Sequence, residues 1–570
     1  MLARAPTVSR DASAAARPAA VRIAESAPEP RIRISRDRSI RLFDKQYALL
    51  VFCKAIPAMS LSIHRSACIA ERTQFASRIT CFFINRGRPD VVRTPHLETW
   101  MTIDTSLPRS PGRRAVLQAG AAAAGFACMP AFARDNDARF ADDFVWGVAA
   151  SAAQTESRDG RGRSNWDVFA DRAGNIADGS TNARCTEFER RYPADLEWMA
   201  AAGIRALRFS IAWPRVQPQG PGAASDAGLS TYERMVDAML ARGIEPVPTL
   251  FHWDTPVWAG DFRSRDIAFR LADYADRVTR RLGDRVRRWI VLNEPNSLAF
   301  RGYGLGVHAP GLRSPEAAFA AVHHQNLAQG LAFQALRANL RDARIGTTIN
   351  LQPVRATGSR DEDRKAAQLV DMLWNRAFLD PLYGKDYPDA LKRSLSAFIR
   401  PDDMNIIAAK PDFLGMNYYS RIYVRANQAA PFGIEQSEQP ADLPRTAAFS
   451  VEPDGMTEML VRVHRDYGAP DIYITETGFA LDDPPPRDGA VDDGPRSDYL
   501  ARYLRAAHDA YRQGVRLKGL FYWAATDNWE WGQGFAKKFG LVHVDLDTQV
   551  RTPKRSLAYY ARCIARNAVA

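Results

Sequence analysis

Cysteine is scarce in this chain: six in 570 residues, of which only Cys185 and Cys563 lie beyond residue 134. Two such thiols make no disulfide framework, and buried free thiols are expected. No CxxC and no Cys/His cluster with ligand spacing occurs, so neither a metal nor another cofactor is expected. Long apolar runs are missing too. Outside one Ala-rich stretch near residue 120, none approaches the roughly 18 residues a spanning helix requires. Dense Lys/Arg runs are also absent. The formal charge of +12 would suggest nucleic acid, yet residues 1–133 hold 20 Lys and Arg against 9 Asp and Glu, leaving 57 against 56 in the remaining 437. So balanced a body offers no phosphate-tracking surface, which excludes nucleic acid as a partner.

The charge at the front has its own logic. From Met101 the chain reads MTIDTSLPRSPGRRAVLQAGAAAAGFACMPAFA: a polar start, a weakly apolar stretch and an Ala131-Phe132-Ala133 cleavage pattern, the order of an export signal. Arg113-Arg114 followed by Ala115-Val116-Leu117-Gln118 resembles the twin-arginine type, with Val and Gln looser than its usual Phe and Lys. Residues 1–100 are Arg-rich and without sustained periodicity, and a signal works at an N-terminus. The expectation is therefore a disordered or untranslated extension at 1–100, with translation starting at Met101. A leader at 101–133 and a working domain at 134–570 would follow. The mature protein would be periplasmic or secreted by a bacterium, with no membrane span.

Beyond residue 140, short β-rich apolar runs alternate with longer amphipathic stretches. Eight candidate strands are counted, at 144–151, 206–213, 245–252, 287–294, 344–351, 412–419, 471–476 and 517–524. Helical patterns such as YPADLEWMAAAG and STYERMVDAMLARG lie between them, each closing on a glycine able to take the left-handed turn. Eight βα units predict an α/β fold, a single (β/α)8 TIM barrel with long βα loops; a doubly wound open sheet is the alternative. The runs begin apolar and end polar, at Gln154, His252, Asn293-Glu294, Asn417, Glu476 and Trp523. In a barrel those ends form one rim, where βα loops build a site.

Two of these ends carry glutamates, and a carboxylate after an apolar strand is costly unless it is used. A pair of carboxyls in different surroundings suits glycoside cleavage. One, protonated, helps the alkoxide leave; the other, ionised, meets the positive charge developing at the anomeric carbon.

The residues also carry a family likeness. NEP at 293–295, YITETG at 473–478 and HWD at 252–254 resemble the signatures of glycoside hydrolase family 1, the β-glucosidase family. FVWGVAASAAQTE, GIRALRFSIAWPRV, GYGLGVHAPG, FLGMNYYSR, FYWAATDNWEWGQGFAKKFGLVHVD and RTPK extend the likeness over almost the whole body. It implies a retaining β-glycosidase acting on small or oligosaccharide β-glycosides. Glu294 would be the acid/base and Glu476 the nucleophile; Arg208, Asn293 and Tyr419 would support them, with Asn293 on the sugar's 2-hydroxyl. Arg208 and Tyr419 would hold Glu476 ionised, while Glu294 has no such partner in its motif. Gln154, His252, Asn293, Trp523, Glu530 and Trp531 would bind the sugar, amides and carboxylates at its edge and indoles on its faces. An anionic Glu530 would repel phosphate, so an unphosphorylated glycone is expected.

Four features depart from the family pattern: Ala153 where Tyr is usual, Thr477 where Asn is usual, Ser157 where Gly is usual, and TPVWAGDFRSRD, without the usual Gly-Gly-Trp, after HWD. These leave the carboxylates and glycone set intact and point to a rebuilt rim loop. A sugar-binding barrel without turnover and a transglycosylase of the same family are the competing classes.

Overall fold

The computed structural model describes residues 138–428 and 434–570, so the expectations for the leader and the front extension lie outside the described residues. Eight parallel strands close on themselves in sequence order. They are β1 (Val145–Ala149), β2 (Ala206–Ser210), β3 (Glu245–Phe251), β4 (Arg288–Asn293), β5 (Arg344–Asn350), β6 (Phe413–Asn417), β7 (Ile472–Thr477) and β8 (Leu517–Trp523). Every expected strand is present. Closure is made by β1 against β8, from Val145 opposite Gly519 to Ala149 opposite Trp523, which removes the open-sheet alternative. β2 stops short of its apolar run because Trp213 opens a one-turn helix, Trp213–Val216, with Pro214 in its first turn.

The helices form for the expected reasons. Asp226–Leu240 starts at Ser225, whose side chain accepts from the Gly228 N–H, and buries Leu229, Tyr232, Met235, Val236 and Met239 along one face. It ends as Gly243 turns left-handed at φ +67° and the Ile244 N–H reaches the Met239 carbonyl at 3.0 Å. Phe188–Ala201 closes in the same way at Gly203. Among the described residues, no helix is long and apolar enough to cross a membrane. Cys185 and Cys563 are buried free thiols, as expected.

Two buried polar layers bear on function. Inside the upper barrel, Arg208 Nε donates to Thr249 Oγ1 at 3.2 Å, and Thr475 Oγ1 donates to Asn417 Oδ1 at 2.8 Å. Beside β8, Lys554 of the RTPK motif bonds Asp527 at 2.6 Å and also Asp483, while Arg496 holds Asp483 at 3.0 Å and also Asp493. This second network ties the C-terminal segment to the loop that follows β8.

Candidate active site

Local backbone irregularity aims both glutamates. Pairing of β4 with β5 slips between Ile290 and Asn293, and pairing of β7 with β6 slips between Ile474 and Glu476. Such slips re-aim the side chains that follow. Glu294 then leaves β4 in the left-handed region, φ +45°, heading the turn Pro295–Ser297. Trp253 and Trp531 are also left-handed, at φ +75° and +48°. A non-glycine held there costs on the order of 1 kcal/mol or more, and such residues gather at functional sites. Gly478 of the TETG motif is required by space: a Cβ there would lie 1.9 Å from the Trp523 carbonyl oxygen.

Glu476 is buried between a guanidinium and a phenol. Arg208 donates to its Oε1 at 2.5 Å and Tyr419 to its Oε2 at 2.8 Å, so both expected supports are in place. Their effect on the charge is outweighed. Burial pushes the carboxyl up, Arg208 pulls it down, and Glu294 pushes it up again, leaving it at about 7. The cation and phenol orient Glu476 and favour its ionised form, while burial and the neighbouring Glu294 oppose them.

Glu294 has partners that its motif does not reveal. Its Oε1 accepts from Asn417 Nδ2 at 2.6 Å; its Oε2 accepts from the Ser297 hydroxyl at 2.6 Å and from Asn350 Nδ2 at 3.2 Å. All three donors are neutral.

Asn293 joins the two halves. Its Oδ1 accepts from Arg208 at 2.6 Å and from Asn417 at 3.2 Å, and its Nδ2 lies 2.8 Å from His252 Nε2. Because Oδ1 faces two donors, Nδ2 must face the histidine. Burial, reinforced by Arg208, lowers His252 far below its usual range, so the ring is neutral; its Nε2 accepts and its proton sits on Nδ1. Among the described residues Nδ1 has no partner.

The remaining candidates converge beside this pair. Gln154 Nε2 reaches Glu530 Oε2 at 3.2 Å and Asn528 Oδ1 at 3.0 Å, and Ser151 orients the amide by donating to its oxygen at 2.7 Å. The Trp523 indole also donates to Glu530. Burial and the nearby Glu476 nonetheless push Glu530 up to about 8. Glu530 therefore stands well above the ordinary carboxylate range. Trp531 lies 5.7 Å from His252, nearly parallel to it, and rests on Trp166 and Trp253. Trp529 of the same WEW run is core, its indole donating to Ser180 at 3.2 Å.

Every expected site residue is therefore brought together, from β1, β2, β3, β4, β6, β7 and β8 or the loops after them. The set was incomplete. Asn350, Asn417, Ser297 and Asn528 also touch the candidate residues. Asn350 ends β5 just as Asn293 ends β4, so the same strand-end rule could have found it. Two departures from the family pattern have structural uses: Thr477 pairs with the Tyr499 hydroxyl at 2.9 Å, and Ser157 donates to Glu189 at 2.5 Å. The rim loop forms a turn, Val257–Ala259, in which Val257 is half exposed and the Trp258 indole donates to the Gln217 carbonyl at 2.8 Å.

Residues 136–569 match the family model described as glycosyl hydrolase family 1. β-Glucosidase A of Thermotoga maritima is 38% identical over 443 residues, covering 76% of this chain and 99% of that protein. A bifunctional β-D-glucosidase/β-D-fucosidase of Bifidobacterium breve is 37% identical, with 75% and 98% covered. The solved T. maritima β-glucosidase in complex with deoxynojirimycin superposes with a TM-score of 0.73 at 37% identity, covering 76% of this chain and all of that one.

Proposed function

This chain belongs to glycosyl hydrolase family 1 and is a retaining β-glycosidase of the β-glucosidase type, and from that premise we propose that Glu476 is its nucleophile and Glu294 its acid/base. The observation that carries this assignment is the unequal setting of the two carboxyls. Glu476 is gripped on one oxygen by Arg208 and on the other by Tyr419, which fixes its direction of attack. Glu294 is surrounded by neutral donors and can change protonation during the cycle.

In the first step Glu476 attacks the anomeric carbon as Glu294 gives its proton to the departing oxygen, forming a glycosyl-enzyme. In the second, Glu294, now ionised, takes a proton from the incoming water, which releases the sugar with its original configuration. The free N–H of Asn293 serves the 2-hydroxyl, and the proton on His252 Nδ1 serves a neighbouring hydroxyl. Gln154 and Glu530 take two more hydroxyls, and Trp523 and Trp531 pack on the ring. An unphosphorylated glycone, glucose or a related sugar such as fucose, fits this neutral set. The expected test is Glu476→Ala. It should lose roughly 10⁴-fold or more in kcat, and azide should restore part of the turnover with an α-glycosyl azide as product. Undiminished turnover, or a β-configured azide, would move the nucleophile elsewhere.

We also propose that residues 101–133 are a leader and that the enzyme acts outside the cytoplasm. The family match begins at residue 136, just past Ala133, which supports that boundary. Replacing Arg113 and Arg114 by Lys should leave activity in the cytoplasmic fraction; unaltered export would dismiss the twin-arginine type, and activity confined to the cytoplasm in the parent would dismiss the leader.

A further inference from the structure

The proposed acid/base must alternate. Glu294 is protonated before the glycosidic bond breaks, ionised afterwards, and protonated again as water enters. Its three donors are not equally suited to both states. As placed, Asn417 on Oε1 and Asn350 on Oε2 present amide N–H groups, which donate and so match the ionised form, and Asn417 is held that way round because its own oxygen accepts from Thr475. A serine hydroxyl has one proton and two lone pairs and can rotate. Ser297 Oγ lies 2.6 Å from Oε2, and Ser297 is the third residue after Glu294, at the end of the same short turn. It is 1% exposed, so solvent has little access to take its place.

Resting on the assignment of Glu294 as acid/base, we propose that Ser297 is a positioning residue that reverses its hydrogen bond with Glu294 Oε2 in step with the catalytic cycle. In the acid form, Oε2–H donates to Ser297 Oγ until the glycosidic oxygen competes for that proton. Once the proton has passed to the leaving oxygen, the Ser297 hydroxyl turns and donates to the new carboxylate. When Glu294 takes a proton from water, the hydroxyl turns back. The serine proton never leaves its own oxygen; the transferred proton runs from Glu294 to the aglycone and is replaced from water. Without Ser297, among the described residues Oε2 keeps the longer 3.2 Å bond from the Asn350 amide, which as placed donates.

The test is leaving-group dependence. In Ser297→Ala, kcat/KM for an alkyl β-glucoside, whose leaving oxygen needs a proton, should fall roughly tenfold, the scale of one hydrogen bond to a charged group. For 2,4-dinitrophenyl β-glucoside, which departs without one, the loss should stay under about twofold. Across a series of aryl glucosides the dependence of kcat/KM on leaving-group acidity should steepen. Equal losses on both substrates, or no loss on the alkyl glucoside, would overturn the proposal. Glu294→Ala, measured alongside, separates the two layers. If it too loses both substrates equally, or neither, the acid/base assignment fails. If it spares the dinitrophenyl substrate while Ser297→Ala shows no discrimination, only the role of Ser297 falls.

Discussion

Among the described residues, Glu294, Glu476 and Glu530 have one bonded cation, Arg208 on Glu476, whereas Asp483, Asp493 and Asp527 are held by two, Arg496 and Lys554. All but Glu530, which is partly exposed, are buried, so solvent screening does not account for most of the difference. In the second group the charges nearly balance. Burial raises Asp527, but Lys554 and His543 more than compensate and hold it below its usual range. At Glu476 and Glu530 burial prevails, and they rise to about 7 and about 8. A structural network is built to stay ionised; a catalytic one is left short of countercharge, so that its protons can move.

The two groups should therefore respond to pH in opposite directions. Asp527 titrates lower in the folded chain than in the unfolded one; its contribution is present above the ordinary aspartate value of 3.8 and is lost as pH falls through its folded value. Glu476 and Glu530 titrate higher when folded. Their contribution is complete below the ordinary glutamate value of 4.5 and is lost as pH rises through about 7 and about 8.

Lys554→Met is the strongest way to break the contrast, because it leaves Asp483 and Asp527 buried with one cation fewer. The expected loss is about 3–5 kcal/mol in unfolding free energy, read from the urea midpoint at constant slope. A loss below about 1 kcal/mol would mean that the pair is no more than a surface-grade contact. Glu530→Gln, an isostere of the protonated acid, sharpens the other side. It should stabilise the chain by on the order of 1–3 kcal/mol at pH 9 and by almost nothing at about pH 4, where the parent holds the proton folded and largely holds it unfolded. Melting curves at the two pH values decide this, and a difference independent of pH would contradict the assignment of a raised carboxyl. The smallest effect is expected for His543→Gln. Its 3.2 Å contact with Asp527 lies at the partly exposed edge of the network, so a loss of about 1 kcal/mol or less is expected at pH 8. A loss as large as that of Lys554→Met would move the centre of the network to the histidine.

The rim is legible in the sequence because strand ends are local. An apolar run that stops at His252, Asn293 or Glu476 carries that information in its own order. Arg208 is different. It lies inside β2, two residues before its end, and only the family likeness marked it out. Asn350 was open to the strand-end rule and was missed. Ser297 was not open to it, because its reach to Glu294 depends on the left-handed turn at Glu294 itself. Lys554 was recognised within RTPK, but its partners lie 27 and 71 residues away, and nothing near it in sequence names them.

Alternation of β-rich and amphipathic runs by itself determined the eight βα units, and the polar ends of those runs determined which residues share one edge, because both follow from burial acting over a few residues at a time; closure into a barrel needed β1 to meet β8. The state of charge at that rim was decided by tertiary structure alone. Arg208 reaches Glu476 across 268 residues of chain and Asn417 reaches Glu294 across 123. How far burial outweighs a single guanidinium depends on distances that exist only once the barrel has closed.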